Sequence, residues 1–268
     1  MNFEGKSAKE IEKLIKMMDI EAGAKLIPFL LKDERTSIRK LGEGLAKKLE
    51  KFIQEKERVR KLWYYENEIF KSGVKLIAGI DEAGRGPLAG PVVAAAVILP
   101  KGIFIEGIDD SKKLSEAKRD ILFDIIRDKA LSIGVGIVDN HIIDEINIFN
   151  ATKLAMSNAI ENLSICPEYL LIDAVKLTDI HIKQQALIKG DSKSISIAAA
   201  SIIAKVTRDR MIKEYDVLYP QYGFRNHKGY GTKEHYESIE KHGITNIHRK
   251  TFLKGIVGEY QGENHNFK

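Results

Sequence analysis

A chain of 268 residues, 44% hydrophobic and 30% charged, can hold one large domain or one domain with an appendage, and its longest apolar stretch, Val92 to Leu99, is far too short to span a bilayer. A single cysteine, Cys166, excludes an internal disulfide and a thiolate-based zinc site, and no disulfide-linked partner is expected. The formal charge of +5 is unevenly placed: residues 1–72 hold 17 Lys and Arg against 13 Asp and Glu, whereas residues 73–268 hold 26 against 25. Such a basic surplus favours a phosphate backbone through counterion release, and serves plain solubility equally well. The opening Met-Asn-Phe-Glu-Gly has neither a basic nor an apolar run, so no secretory leader and a cytoplasmic location are expected.

The first 72 residues are predicted to be helical throughout. Ser7-Ala-Lys-Glu10 is a capping box that opens a helix through Met18. From about Thr36 a longer helix runs toward Phe70, with Ile38, Leu41, Leu45, Leu49 and Phe52 on one face. Its aromatic end, Leu62-Trp-Tyr-Tyr65, is suited to docking. Ser72-Gly73 breaks the pattern, and the boundary between a helical accessory segment (1–72) and a second domain (73–268) is placed there.

Beyond that boundary the periodicity changes. Lys75 to Ile80 and Val92 to Leu99 are short, apolar and bounded by Gly and Pro, as buried strands are. Ser115 caps a helix through Lys129, and Leu131 to Val138 is a third strand. A helix from about Asn150 to Asn162 and a strand from Tyr169 to Ile172, ending at Asp173, follow. Ser194 to Tyr215 is a long helix whose Ala198–Ala204 stretch should be core. Gly223 to Gly231 is a glycine-punctuated loop, and Thr232 caps a last helix that stops at Gly243. The polar end Gln261–Lys268 has the composition of a frayed tail. Strands alternating with helices predict an α/β domain with a mixed sheet.

The most informative segment runs from Leu76 to Pro91, where a buried strand leads into Asp81-Glu82-Ala-Gly84-Arg85-Gly86. Two adjacent unpaired acids repel, and one would protonate. A divalent ion removes that conflict, and hard ions prefer oxygen ligands. The dipeptide alone fits a surface turn equally well; the glycines change the balance. Gly84 and Gly86 let the backbone approach a ligand closely, and Arg85 brings a guanidinium that matches phosphate. A dinucleotide site needs G-x-G-x-x-G opening a helix. Here the spacing is G-x-G-x-x-x-G, and Pro87 and Pro91 interrupt any helix.

With that segment the chain resembles the ribonuclease HII family, in its bacterial form with an N-terminal helical extension. The likeness continues at Asp110-Ser-Lys-Lys-Leu114, Leu171-Ile-Asp173, Lys189-Gly-Asp191-Ser-Lys193, Ala198 to Asp209, Lys228-Gly-Tyr230-Gly-Thr232 and His248-Arg249. It covers residues 75–255 and leaves residues 1–72 outside. The resemblance implies a ribonuclease H-like fold and four metal-binding acids, which fall on Asp81, Glu82, Asp173 and Asp191. Considered alone, Asp191 reads as a helix N-cap, and Asp109 and Asp110 as residues that shape a loop.

Four carboxylates with no His or Cys partner point to two-metal phosphodiester hydrolysis with Mg2+ or Mn2+. The resemblance further implies cleavage of the RNA strand of RNA·DNA hybrids and at single ribonucleotides embedded in duplex DNA, leaving 5′-phosphate and 3′-hydroxyl ends. It assigns sensing of the 2′-hydroxyl to Gly84, Arg85, Gly86 and Tyr230. Ser111, Lys112 and Arg249 are expected to contact phosphates. None of the seven histidines is assigned a role, though His227 and His235 lie nearest the substrate loop. A monomer that meets no membrane is expected. The alternatives are type III ribonuclease H, which shares the leading Asp-Glu but lacks the arginine-containing glycine motif and carries a different N-terminal domain, and a non-catalytic nucleic-acid-binding module on the same fold.

Overall fold

The computed structural model describes Phe3 and residues 5–253; the expected polar tail at Gln261–Lys268 lies outside the described residues. Packing divides the chain into two compact units, Met1–Lys61 and Leu62–Lys268.

The first unit is helical: α1 (Ala8–Lys16), α2 (Ile20–Ala24), α3 (Ile27–Leu31) and most of α4 (Thr36–Leu62). The capping box forms as expected. Ser7 Oγ accepts from the Glu10 amide at 3.3 Å, and the Ser7 amide donates to Glu10 Oε2 at 2.7 Å. Ile11, Leu26, Leu30, Ile38 and Leu45 close around Phe3 to make its core.

α5 (Tyr64–Phe70) belongs to the second unit. The long helix expected from Thr36 to Phe70 breaks at Trp63, whose φ of −79° and ψ of 3° leave the helical range. Trp63 Nε1–H donates to the Ile103 carbonyl at 3.1 Å, and Ile69 packs with Ile77, Leu171, Leu187 and Ile197. These contacts explain why packing divides the chain after Lys61, whereas composition changes at Ser72-Gly73.

A five-stranded sheet follows: β1 (Ile77–Ala83), β2 (Val92–Ile98), β3 (Ser132–Val138), β4 (Tyr169–Asp173) and β5 (Lys183–Leu187), in the order β3-β2-β1-β4-β5. β1 pairs antiparallel with β2 and parallel with β4, and β4 pairs parallel with β5. Around it lie α6 (Glu116–Lys129), α7 (Asn140–Glu161), α8 (Ile195–Leu218), α9 (Phe224–His227) and α10 (Lys233–His242). Alternation along β1 sorts its neighbours. Ala78 and Ile80 join the cluster that includes Ala155, Met156 and Ala159 of α7, while Ile77 shares a cluster with Ile197 of α8. The predicted α/β architecture, a mixed sheet flanked by helices with a helical N-terminal extension, is the one observed. Among the described residues no helix is long and apolar enough to cross a membrane.

Four local readings differ from the structure. β1 continues to Ala83, so Asp81 and Glu82 lie within the strand rather than beyond it. α7 starts ten residues before the expected Asn150, because Asp139 caps it, and a non-helical Asn147 (φ 66°) interrupts the periodicity that marks a helix. β5, Lys-Gln-Gln-Ala-Leu, is a polar edge strand with no apolar run to betray it. The glycine-punctuated loop contains the short α9.

Candidate active site

The parallel pairing of β1 with β4 places Ile80 opposite Ile172, so the next residues, Asp81 and Asp173, emerge side by side. Asp191 follows β5 in a 3-10 turn, Gly190–Ser192, just ahead of α8. One carboxylate oxygen from each of Asp81, Asp173 and Asp191 lies within 4.8 Å of the others. What brings α8 to this edge is Gly79. A Cβ there would sit 2.0 Å from the Ser196 carbonyl carbon, so only glycine lets the start of α8 lie directly on β1.

Glu82 stands outside that trio. It follows Asp81 in β1, and its carboxylate still feels the charges of Asp173 and Lys112. Its Oε1 meets Arg85 Nη1 at 3.4 Å, and its Oε2 is buried without a hydrogen-bond partner. An unpaired buried carboxylate oxygen is costly in the bare protein. A cation would satisfy it.

The electrostatics agree. Burial, then the neighbouring Glu82 and Asp173 charges, push the Asp81 carboxyl well above the usual carboxylate range. Burial also raises Glu82, against the pull of the Arg85 guanidinium. Asp191 is raised by burial and by the charges of Asp110 and Asp173, with Lys112 pulling it back. Lys112 Nζ lies 3.5 Å from Asp191 Oδ2. Partial burial pulls its ammonium down, but Asp81, Asp191 and Asp110 outweigh that and raise it. Crowded carboxylates that resist ionisation, all oxygen donors, suit a hard divalent ion such as Mg2+ or Mn2+.

Beside the acids lies the glycine segment. Gly84 has φ of +97°, and a Cβ there would come within 2.2 Å of Arg208 Nε. A Cβ on Gly86 would meet Tyr230 Cε1 at 3.4 Å, so the half-exposed ring of Tyr230 lies against that glycine. Arg85 is exposed.

The remaining expected contacts take different places. Arg249 is fully buried, not a phosphate contact at the surface: its Nε, Nη1 and Nη2 donate to the carbonyls of Gly90, Arg85 and Gly84. Arg208, which the sequence did not single out, donates likewise to Pro91, Lys228 and Ala89. Together the two guanidiniums hold the glycine segment and tie it to the loop that carries Tyr230. The signal for Arg208 was a charged residue on the buried face of α8, in step with Ser201 and Ala204.

Ser111 is also buried. Its hydroxyl shares a hydrogen bond of 2.9 Å with Ser201, which in turn bonds to Asp81. Asp110 and Asp109 shape the loop, accepting from the Lys112 and Asp110 amides at 2.9 and 2.8 Å. Under Tyr230, His227 stacks on His235 with ring centroids 4.5 Å apart, and His235 Nδ1 bonds the Tyr230 carbonyl. His235 Nε2 meets His248 Nε2 at 3.0 Å, so these histidines serve the loop's interior.

Comparison with known proteins gives a family to this arrangement. The family model described as Ribonuclease HII matches residues 78–254, and one described as Ribonuclease HII N-terminal domain matches residues 7–70. The sequence resemblance began only at residue 75, so the second match adds the helical segment to the likeness. The chain is 56% identical to the ribonuclease HII of Clostridioides difficile (strain 630) over 255 residues, 95% of this chain and 100% of that one. It is 54% identical to that of Acetivibrio thermocellus over 251 residues, 94% of this chain and 98% of the relative. The crystal structure of ribonuclease H2 from Pyrococcus horikoshii OT3 aligns with a TM-score of 0.59 at 28% identity, covering 71% of this chain and 100% of that one. With both of its segments matched and its length nearly spanned, the chain belongs to the ribonuclease HII family.

Proposed function

We propose that this chain cuts the RNA strand of RNA·DNA duplexes, and cuts at single ribonucleotides embedded in duplex DNA, by two-metal-ion hydrolysis that leaves 5′-phosphate and 3′-hydroxyl ends. As a member of its family it is an endonuclease; the single-ribonucleotide substrate and the course of the reaction are our reading. The observation that carries it is the approach of Asp81, Asp173 and Asp191 within 4.8 Å at one sheet edge, with an unsatisfied Glu82 oxygen beside them.

In this reading the four acids hold Mg2+ or Mn2+, and when bound the ions supply activation of water and charge stabilisation on the leaving oxygen. Asp81, Asp173 and Asp191 are fixed by the strand ends and the turn that carry them, so little reorganisation is left for the reaction step. Lys112 adds a positive charge next to Asp191, facing where a phosphate would lie. The backbone of Gly84–Gly86 lets a sugar come close, and Tyr230 presents a ring to stack on it and a hydroxyl to bond its 2′-oxygen. Arg85 is placed to hold a phosphate. The protein acts as a monomer in the cytoplasm in the same reading.

The test is cleavage of a duplex that carries one ribonucleotide, with Mg2+, Mn2+ and a chelator compared. Incision beside that ribonucleotide with either ion, abolished by the chelator, is expected. Metal-independent incision would overturn the proposal, as would indifference to the ribonucleotide.

A further inference from the structure

α5 carries a carboxylate into the interior. Glu66 has no solvent exposure. Its Oε1 accepts from the Ser194 hydroxyl at 2.6 Å and from the Ser196 amide at 3.1 Å. Its Oε2 is buried without a hydrogen-bond partner.

The two groups that Glu66 accepts from stand at the start of α8, immediately after the turn that holds Asp191. Ser194 already caps α8 by accepting from the Ile197 amide at 3.2 Å, so its hydroxyl proton is left for Glu66. The Ser194 amide donates to the Gly190 carbonyl at 2.8 Å, which closes the turn Gly190-Asp191-Ser192. The Gly190 amide in turn donates to Asp173 Oδ1 at 2.7 Å. Hydrogen bonds thus lead from one side chain of α5 to Asp173, and on the way close the turn that carries Asp191. Ile69, one turn further along α5, is packed among Ile77, Leu171, Leu187 and Ile197, so the helix that carries Glu66 is anchored on β1, β4, β5 and α8.

Stability alone explains this carboxylate poorly. A buried acid whose second oxygen has no donor carries a desolvation penalty that an apolar side chain of similar volume would avoid. Outer groups that orient ligands, by contrast, are felt in the affinity of a metal site.

We propose that Glu66 is a positioning residue: through Ser194 and Gly190 it fixes Asp191 and Asp173 in the geometry that receives the divalent ions. The inference rests on the metal-site reading above. It gives the end of the N-terminal segment a part in the active site.

The experiment is isothermal titration of the full chain with Mn2+, alongside thermal melting and hybrid-cleavage kinetics. Glu66→Asp keeps the charge and the burial but draws the acceptor back from Ser194. It should weaken Mn2+ binding roughly ten- to a hundredfold and lower kcat similarly while leaving KM for the duplex unchanged. Glu66→Gln keeps an acceptor oxygen at the Oε1 position and should restore near-wild-type affinity. Ser194→Ala removes the link from its other end and should weaken Mn2+ binding like Glu66→Asp, which keeps the test decisive if Glu66→Asp does not fold. A folded Glu66→Asp or Ser194→Ala chain that binds Mn2+ as tightly as wild type overturns the proposal, even if its melting temperature falls. Failure of the wild-type chain itself to bind Mn2+ overturns the metal-site reading and this inference together.

Discussion

The acid cluster and the glycine segment lie side by side and are held by different means. Asp81 and Asp173 stand on adjacent parallel strands, and Asp191 on a turn between β5 and α8, so regular backbone pairing aims them. Gly84–Gly86 and Tyr230 stand on loops, and what aims those is side chains distant in sequence: Arg249, 164 positions from Arg85, and Arg208, 117 from Pro91. Burying two like charges against backbone carbonyls is a costly way to shape a loop, and burial followed by the neighbouring Arg208 charge pulls the Arg249 guanidinium down. The acids would keep their place under most loop substitutions. The loops would not survive loss of their arginines.

That contrast can be broken most sharply at Asp81. Asp81→Asn preserves shape and removes one ligand charge, so activity should drop on the order of a thousandfold or more if metal-centred charge stabilisation carries the reaction. In metal-free buffer the same variant should melt higher than wild type, because it removes one member of a group of repelling acids. Substantial Mg2+-dependent cleavage by the folded variant would show that the cluster is not the reaction centre.

The loop half is tested by Arg249→Lys, which keeps a positive charge but replaces a fork that spans three carbonyls with a single ammonium. Its main effect should be on selectivity. Cleavage at a lone ribonucleotide should fall on the order of ten- to a hundredfold, the scale of a misplaced reacting group, and cleavage of a long hybrid should fall less. Tyr230→Ala should show the same imbalance, since a lone ribose offers one correct register and a long RNA strand offers many. Equal slowing of both substrates by both variants would make these residues structural supports rather than readers of the ribose.

How much was legible in the sequence follows from the same contrast. Apolar runs that meet an acid announce themselves through composition, so Asp81 and Asp173 can be read from Leu76–Ile80 and Tyr169–Ile172. Asp191 cannot. Alone it looks like a helix cap, and β5, the strand before it, is too polar to recognise. Arg249 stands out in the sequence, but nothing in His248-Arg249 says that the guanidinium turns inward to Gly84, Arg85 and Gly90. Glu66 and Arg208 are invisible for the same reason: Ser194 lies 128 residues from Glu66, and Pro91 and Ala89 lie 117 and 119 from Arg208. Pairing within elements shows in local pattern, and polar contacts between distant elements do not.

The histidines under Tyr230 sharpen the comparison through pH. Burial holds His235 and His248 down to about 4 from an ordinary value of 6.5. Between those values the folded state binds fewer protons than the unfolded, so their contribution to stability is full above about 6.5 and is lost as pH falls toward about 4. Asp81 has the opposite sign: its raised carboxyl binds a proton more readily in the folded state, so the metal-free acid cluster gains stability as pH falls. A global melting curve mixes the two. Hydrogen exchange read segment by segment should show residues 227–236 opening between pH 6.5 and 4.5 while residues 190–194 do not. Uniform protection across both segments would mean that the histidines stay neutral for reasons other than burial, or that the loop does not depend on them.

The smallest expected effect belongs to the basic surplus of the N-terminal unit. Of the nine cations along α4, Lys56, Arg58 and Arg60 are engaged with Glu21, Glu55 and Glu57 at 2.6, 2.7 and 2.8 Å. Exposed pairs of this kind contribute little to stability and leave little net charge for a partner. Lys47, Lys51 and Lys61 are exposed, and we propose that these add phosphate contacts to the duplex. Deleting residues 1–72 would be a poor test, because it removes Glu66 and Ile69 from the second unit together with the lysines. Replacing Lys47, Lys51 and Lys61 with Gln in the full chain avoids that. KM should rise more than kcat falls, since the binding these lysines supply is shared by ground and transition states. The slope of log affinity against log salt should become shallower by about 0.9 for each phosphate that is no longer neutralised. An unchanged slope would assign these lysines to solubility and leave the N-terminal unit without a part in holding the duplex through them.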